Sequence, residues 1–543
     1  MRHKWIRTFS AFLIVCLLIS DNNLWGWETT AYATEDIREG SNSSNGNSTG
    51  ESGEMSEIPE TPEIPETPEI PETSEETPET SETDETETLE DEIALFEGEE
   101  SIPTGSKPLK EVTDEAEYQS YYTADNFYYL ASAADFLLLE KLTQTYDFDG
   151  ISFPIGDTGT GKEWNLSAIS GFNGFGTADH PFRGKMSCYY SSGSLTFNLD
   201  KPLFAYLGEG AEIYQFDFNC VDGTSAAIAR NIQVSGKDTA EIRIHDINIT
   251  GVIKNTDENA GIIAGSIGDN AKINIKNVKS EINNITGNNA GGIAGSLGDA
   301  VTITAEENSW AAAAVTGTAS AGGYFGTLTG SYTWNTSELS LCNGFTVQRG
   351  DYAGQFAGKL CKGGDNSTLT VTGNGDITIN ATVNGGQTVG GLLGVCKAGT
   401  TLEVEKPLTV TGTVTSSMGQ GNAGGLLGKV SEKITIRLDS YTGSASIATV
   451  LNSGYAGGLV GDITSTFVLE RVKGKESAPP ITINGYIQYG TGVGGFAGRV
   501  EGVDFGIPAV TVAATLANGT HVGGVVGYVN NSKLLLKDPT VAQ

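Results

Sequence analysis

The chain contains little cysteine, little histidine and little positive charge. Its 543 residues include six cysteines and four histidines, and 67 acidic residues outnumber 32 basic ones. No Cys-x-x-Cys pair is present, and an odd, sparse set of cysteines does not build a disulfide framework. The five that lie outside the N-terminal segment are Cys188, Cys220, Cys342, Cys361 and Cys396. Cys361 and Cys396 are the pair that a repeat described below could bring together, but small core side chains are the favoured interpretation for both.

Motifs of metal, nucleotide and hydrolase chemistry are also absent or incomplete. His180, His245 and His521 lie far apart, and no His-Glu-x-x-His motif occurs, which excludes a zinc-protease helix. The segment Gly156–Glu163 nearly spells a phosphate-binding loop. Its last position should be a Ser or Thr that binds magnesium, and Glu163 would repel phosphate instead. We therefore predict a plain surface loop there, no cofactor and no metal.

One long apolar run is present, and it lies at the N-terminus. Phe9 to Ile19 follows a basic start and precedes the small-x-small sequence that ends at Ala33. This order is typical of a secretory signal peptide, since the run is too short to span a membrane comfortably. We predict a signal peptide over residues 1–33, cleavage after Ala31-Tyr32-Ala33 and a mature chain that begins at Thr34. An uncleaved membrane anchor is the alternative, and no membrane span is expected after cleavage.

Residues 34–104 have the composition of a disordered stalk. Between residues 34 and 100 the sequence has 24 acidic residues and one arginine, with Ile-Pro-Glu-Thr units repeated at six-residue steps. Proline and like-charge repulsion keep such a segment extended and prevent it from burying a core. The stalk would hold a folded domain away from a surface. Its acidity argues against nucleic acid or anionic lipid as a partner.

A glycine-rich motif recurs nine times in the second half of the chain. Its best copies read Ala423-Gly424-Gly425-Leu426-Leu427-Gly428 and Ala456-Gly457-Gly458-Leu459-Val460-Gly461. The last glycines of successive copies are 29 to 37 residues apart, and a period of this length indicates stacked units that share one core. Those nine glycines are Gly265, Gly295, Gly326, Gly358, Gly394, Gly428, Gly461, Gly498 and Gly527.

The residues between the motifs favour strands over helices. Runs such as Ile377–Ala381 and Ile434–Leu438 alternate Ile, Val or Leu with Thr and are bounded by Gly, Asn and Ser. Each repeat then holds about three short strands, and stacked three-strand coils form a parallel β-helix over residues 251–543. We expect the Gly-Gly pair to turn a corner with positive φ and to allow close approach between coils.

The motif resembles the GLUG repeat of bacterial surface proteins, which also occurs in non-catalytic regions of some immunoglobulin A proteases. The resemblance covers residues 260–529, and two copies depart from it at Ile262 and Gln355. It implies a right-handed β-helix of the pectin-lyase type. Pro181–Lys185 is similar to the segment that opens such helices, and Leu203–Gly208 looks like a degenerate first coil.

Residues 105–250 are predicted to form an N-terminal cap and the degenerate first coils. Ser132 precedes the helix-forming run Ala133–Leu142 and is a suitable N-cap residue. The open end of a β-helix exposes strand edges and core, so a cap is required. At the other end only fourteen residues follow Val529, and we expect the natural product to continue past Gln543 or another chain to cover that end.

The acidic residues of the array bear on whether the protein is an enzyme. Polysaccharide cleavage would need two or three carboxylates on one face, or calcium plus a basic residue. The acids of the array do not recur at matching places in three consecutive coils, so solvated surface charge is favoured. These acids are Asp269, Asp299, Asp365, Asp439, Asp462, Glu470 and Asp504. Trp310, Tyr332 and Trp334 could stack on sugars, although packing under a loop is favoured.

We therefore predict a secreted, cell-surface repeat protein of a bacterium that acts as an adhesin or ligand-binding β-helix. Its partner would be a host or environmental glycan or protein. A polysaccharide lyase or glycosidase on the same scaffold, or a purely structural surface protein, are the alternatives.

Overall fold

The computed structural model describes residues 105–543 except 157–162, 189–194, 237–239, 362–366, 398, 451, 473–478, 537–539 and 542–543. The predicted signal peptide, its cleavage residues Ala31, Ala33 and Thr34, the predicted stalk and most of the phosphate-loop-like segment lie outside the described residues. Within them, no helix is long and apolar enough to cross a membrane.

The described chain forms a parallel β-helix, as the sequence predicts. Every strand pairing is parallel, and the strands of successive coils stack into long sheets. Sheet 1 has eleven strands, one from each of eleven coils, and nine of them carry the repeat glycine as their second residue. Its strands are Phe204–Leu207, Ala229–Ile232, Ala264–Ile267, Ala294–Leu297, Phe325–Thr329, Ala357–Cys361, Leu393–Cys396, Leu427–Val430, Val460–Ile463, Ala497–Glu501 and Val526–Asn530.

Sheet 2 precedes sheet 1 in each repeat and has seventeen strands. They are Ile253–Asn255, Asn284–Gly291, Ala314–Gly322, Thr346–Arg349, Tyr352–Gly354, Ile377–Gly385, Thr388–Gly390, Leu408–Ser416, Asn422–Gly424, Tyr441–Gly443, Ser446–Ala448, Tyr455–Gly457, Ile481–Ile483, Tyr486–Gly494, Val510–Val512, Thr515–Gly523 and Thr540–Val541.

The third side of the helix is divided between two sheets. Sheet 3 serves the N-terminal coils with Ser152–Ile155, Glu163–Asn165, Lys185–Cys188, Thr196–Leu199, Glu212–Cys220, Ile242–Gly251, Lys272–Ser280, Thr302–Glu306 and Ser309–Trp310. Sheet 4 serves later coils with Tyr332–Asn335, Thr368–Thr372, Thr400–Val404, Ile434–Leu438 and Phe467–Arg471. Two small sheets pair Lys107–Pro108 with Tyr128–Tyr129 and Phe505–Ile507 with Leu534–Leu536.

The core is a stack of aliphatic side chains contributed by alternate strand residues. Ile242, Ile273 and Ile303 occupy one place in three successive coils of sheet 3, and all three are buried. Full burial of such a side chain stabilises the fold by about 1.5–3 kcal/mol. The period-two pattern therefore both predicts the strands and supplies the energy that holds the coils together.

The N-terminal end is capped, which confirms the prediction for this region. Helix α2, Ala133–Leu142, begins at Ser132, whose hydroxyl and the Asp135 carboxylate form a reciprocal capping box. Its Phe136 packs against the aromatic rings of Trp164, Phe172 and Phe175. The shorter helix α1, Glu115–Tyr121, precedes it and begins at the N-cap Asp114.

The segment Leu203–Gly208, predicted to be a degenerate first coil, contributes the first strand of sheet 1, but it is not the first coil, because Ser152–Ile155 and Lys185–Cys188 precede it and already pair with each other. Phe204–Leu207 pairs with Ala229–Ile232 in the same register as later coils. The amide of Phe182, from the predicted opening segment, donates to the carbonyl of Tyr206 at 3.0 Å.

Candidate ligand-binding corner

The repeat glycines are required by close approach and not by backbone conformation. Gly424, Gly425 and the nine repeat glycines all lack a positive φ. The prediction that the Gly-Gly pair turns a corner with positive φ is therefore wrong. A Cβ atom on Gly425 would lie 2.1 Å from the carbonyl oxygen of Gly458 in the next coil. A Cβ atom on Gly424 would lie 2.6 Å from the amide nitrogen of Gly461. No L side chain fits at these distances, which explains the glycines.

These contacts define a re-entrant corner between sheets 2 and 1. The strand Asn422–Gly424 belongs to sheet 2, and Leu427–Val430 belongs to sheet 1. A Cβ atom on Gly428 would lie 2.5 Å from the amide nitrogen of Val389, in sheet 2 of the preceding coil. The outer faces of the two strands therefore meet, backbone against backbone.

Two residues of each motif line the mouth of this corner, and they are seven positions apart in the sequence. One precedes the Ala-Gly-Gly segment, and the other follows the last glycine. The nine pairs, here called the corner residues, are Asn259 and Ser266, Asn289 and Ser296, Ser320 and Thr327, Tyr352 and Lys359, Thr388 and Val395, Asn422 and Lys429, Tyr455 and Asp462, Gly492 and Arg499, and His521 and Tyr528.

In the first coils the corner residues are small and neutral. The Asn259 side-chain amide donates to the Ser266 hydroxyl at 2.9 Å across the corner, and the Asn289 amide donates to Asn259 at 2.9 Å along it. Ser320 is buried. The polar groups of these side chains form hydrogen bonds with one another, so this part of the corner is closed to a ligand.

The middle of the corner carries an aromatic ring between two cations. The Nζ atoms of Lys359 and Lys397 lie 5.9 and 5.6 Å from the ring centre of Tyr352. All three side chains are half-buried. Among the described residues, neither lysine forms an ion pair with a carboxylate. A tyrosine ring beside two lysines without carboxylate partners among the described residues is suited to a ligand that carries negative charge.

Farther along, the corner encloses a buried carboxylate. Asp462 is fully buried, and it accepts from Arg499 Nε at 2.7 Å and Nη2 at 2.8 Å. Lys429 lies 3.3 Å away. Burial lowers the pKa of Arg499, but the hydrogen bonds to Asp462 and the charge attraction to Asp462, Tyr455 and Glu501 together outweigh burial and raise the pKa. The interpretation of Asp462 as a solvated surface charge is therefore wrong.

Aromatic rings surround this ion pair. The Arg499 guanidinium lies 4.2 Å from the ring centre of Tyr455. Tyr528 lies 6.2 Å from Tyr455, and His521 lies 5.1 Å from Tyr528, measured between ring centres. The ion pair holds the guanidinium flat against Tyr455, so this cluster offers preorganised rings and donors.

The remaining acids of the array do not join this cluster. Asp269 accepts from the amide of Asp299, and Asp299 accepts from the amide of Ser331, so both brace turns between coils. Of the remaining acids, Asp439 forms an ion pair with Arg471 and Glu470 forms one with Arg437. The Asp504 carboxylate accepts a hydrogen bond from the Lys533 amide. Asp365 lies outside the described residues.

The three histidines His180, His245 and His521 do not form a metal site. Within the described residues, no group of three His, Cys, Asp or Glu side chains could hold a metal ion. His245 stacks on Tyr214 and lies 2.8 Å from Asp246 and 3.5 Å from Glu212. The hydrogen bond from His245, aided by Arg243 and Lys185, lowers the pKa of Glu212 to about 2.

The cysteines and the large aromatic residues do not share one environment. All five described cysteines are free; Cys396 is buried, as the favoured interpretation predicts, whereas Cys361 is only partly buried. Tyr332 and Trp334 are buried beside Phe356, and Trp310 stacks near Phe345. Tyr332 and Trp334 therefore present no face for sugar stacking, whereas Trp310 is only partly buried.

Comparison of the chain with protein-family models, with curated proteins and with solved structures finds no match. The resemblance to the GLUG repeat therefore stays a prediction that depends on the motif itself.

The corner residues were missed by reasoning from the sequence, although a signal exists. Once the motif is aligned, the seven-residue spacing brings Tyr352 beside Lys359 and Tyr455 beside Asp462. Glycine recurs within the motif, whereas the aromatic and charged side chains of the corner occupy the variable positions that flank it.

Proposed function

We propose that this protein is a secreted bacterial cell-surface β-helix, of the GLUG-repeat type, that binds glycan chains along the corner. It would act as an adhesin or as another ligand-binding protein of the surface. The observation that carries the proposal is the pair of aromatic and cationic clusters, one at Tyr352 and one at Tyr455, on the same line of the helix. The two clusters are three coil spacings apart, which is about 14 Å at the spacing of neighbouring strands.

The chemistry of the two clusters indicates the class of glycan. Tyrosine faces stack on flat apolar surfaces such as those of sugar rings. Lys359 and Lys397 lack carboxylate partners among the described residues, so they can pair with carboxylate or sulfate groups. We therefore expect acidic glycans to bind more tightly than neutral ones, and we expect added salt to weaken that preference.

The enzyme alternative makes a different prediction. Asp462 is held by Arg499 with two hydrogen bonds, which suits a structural carboxylate better than a proton donor. Incubation of the full chain with host and plant glycans separates the two functions. Retention without shortened products supports an adhesin, and new reducing or unsaturated ends support an enzyme.

A matched pair of variants tests the location of the site. Tyr352→Ala should weaken glycan binding by about tenfold or more, the equivalent of ~1.4 kcal/mol. Tyr486→Ala removes a tyrosine that is 37% exposed on sheet 2 outside the corner residues, and it should leave binding unchanged. Equal affinities of both variants and the wild type, measured on an immobilised acidic glycan, would exclude the corner as the site.

A further inference from the structure

The ladder of strands on the third side of the helix is interrupted. Thr302–Glu306 is the last strand of sheet 3, and Tyr332–Asn335 is the first strand of sheet 4. The two come from successive coils, yet they do not pair. The amide of Ala300 still donates to the carbonyl of Ser331 at 3.1 Å, and after that hydrogen bond the two segments of the chain diverge.

Large core side chains account for the separation. After the shared hydrogen bond, the later coil places Tyr332 and Trp334 in the core, where the earlier coil has Val301 and Ile303. The loop after Trp334 also sends Leu339 into the core, and its carbonyl accepts from Trp334 Nε1 at 2.9 Å. The wider core prevents the usual strand spacing.

A cleft of about 590 Å³ lies at this interruption. Consecutive residues Ala300–Thr304 border it, so one edge of the strand Thr302–Glu306 faces the opening. Its floor includes alternate residues of the next strand of sheet 4, and Asn335 and Glu338 also line it. The floor residues are Thr368, Thr370 and Thr372.

The exposed edge has a regular hydrogen-bonding pattern. In a parallel sheet each strand directs its backbone N–H and C=O groups alternately to its two neighbours. Thr302–Glu306 pairs with Lys272–Ser280 on one side, and no described strand pairs with its other side. Half of its backbone groups are therefore available, at intervals of about 6.6 Å along the strand. An extended polypeptide matches this repeat, and a sugar chain does not.

We propose that this cleft binds an extended polypeptide segment, which adds a strand to the edge of Thr302–Glu306. The edge strand has five residues and spans about 17 Å, so the segment would be about five residues long. Backbone hydrogen bonds supply affinity in this mode of recognition, and alternate side chains supply specificity.

The charges around the cleft indicate what the segment carries. Glu338 lines the cleft and is exposed, Glu306 is exposed at the end of the edge strand, and the residues that line the cleft include no lysine or arginine. The floor is made of threonines, which accommodate small or β-branched side chains. We infer a segment with Thr, Val or Ser at alternate positions and a basic residue at one end. This site is separate from the corner and does not depend on it.

Affinity selection of end-blocked hexapeptides on the full chain tests the proposal. The pool carries Thr, Val, Ser, Tyr, Lys or Glu at each position, and retained peptides are measured by fluorescence anisotropy. Lysine-bearing peptides should be enriched and glutamate-bearing ones depleted. Retention of no peptide, or enrichment of glutamate, would refute the proposal.

Two variants and one chemical change locate the bound peptide. Thr368→Trp fills the floor, and Thr435→Trp makes the same change at the matching place two strands farther along sheet 4. Affinity should fall about tenfold, or ~1.4 kcal/mol, in the first variant and stay unchanged in the second. N-methylation of alternate peptide amides should abolish binding in one set and spare the other. Equal effects of the two variants, or of the two methylated sets, would overturn the assignment.

Discussion

Replacement of Gly425 by alanine is the sharpest test of how the coils are packed. The added Cβ atom would lie 2.1 Å from the carbonyl oxygen of Gly458 and 2.5 Å from the hydroxyl oxygen of Tyr441. The first contact is with backbone, so relief requires a shift between coils. Overpacking of this kind costs about 1–3 kcal/mol.

A hydrogen bond is lost in the same change. The Tyr441 hydroxyl donates to the Gly458 carbonyl at 3.1 Å, and the new methyl group would lie between them. Tyr441 is buried, so a hydroxyl left without a partner costs about 1–3 kcal/mol more. We expect Gly425→Ala to lower the free energy of unfolding by about 2–6 kcal/mol in total.

The control is Gly375→Ala, at an exposed bend with no atom within 4 Å of the added Cβ and no positive φ. It should be neutral or stabilise the protein by up to about 1 kcal/mol, because it restricts the unfolded chain. Urea unfolding measures the global effect. Amide exchange in the strand Tyr441–Gly443 measures the local one, which a repeat protein can show separately.

Asparagine at the same position distinguishes close approach from positive φ. Asparagine tolerates positive φ better than alanine does, so a conformational requirement would make Gly425→Asn the milder change. Close approach makes it the more severe one, because its side chain is larger. If alanine proves harmless, or asparagine proves milder, the steric explanation of the motif is wrong.

Three further predictions concern titration, the buried ion pair and the thiols. Glu212→Gln should lower the pKa of His245, which Glu212 helps to raise against burial, and an unchanged NMR titration would contradict the pairing. In the wild type, the Glu212 contribution to stability is present above pH 4.5 and is lost as the pH falls towards 2. The His245 contribution is full below pH 6.5 and is lost as the pH rises through its raised pKa. Asp462→Ala leaves the half-buried Arg499 and Lys429 without their carboxylate partner and should cost about 1–3 kcal/mol in urea unfolding, whereas no measurable loss would contradict a stabilising ion pair. Cys361 is half-exposed and Cys396 fully buried, so a thiol reagent should modify Cys361 first, and equal rates would contradict that order.

The fold was predictable because its two signals are local. The glycine period marks nine of the eleven coils of sheet 1, and alternation in runs such as Ile434–Leu438 identifies the strands, since each outward residue there is polar. The helix after Ser132 was also local, because its N-cap and first turn are adjacent in sequence. Helix α1 was missed although Asp114 and Glu117 mark its start, because it has only two turns and a weak apolar pattern.

The site was harder to predict because it depends on distances between coils. Asp462 and Arg499 are 37 residues apart, and they meet because each is the residue after the last glycine of its motif. Tyr332, Trp334 and Leu339 of the following loop likewise interrupt the sheet ladder only because they add bulk to a core that is shared with the preceding coil. Neither effect is visible in a single repeat.

The same geometry explains why the glycines of each motif recur and the two flanking positions vary. The glycines of the corner face backbone of a neighbouring strand at distances that exclude any side chain, so they cannot vary without moving the coil. The two flanking positions lie at the corner, and the nine motifs carry eight different pairs there, from Asn259 with Ser266 to His521 with Tyr528. These variable positions of the motif lie on one line along the helix axis. A ligand that lies along this line would be distinguished by the order of rings and charges it meets, and this is why we place recognition at the corner.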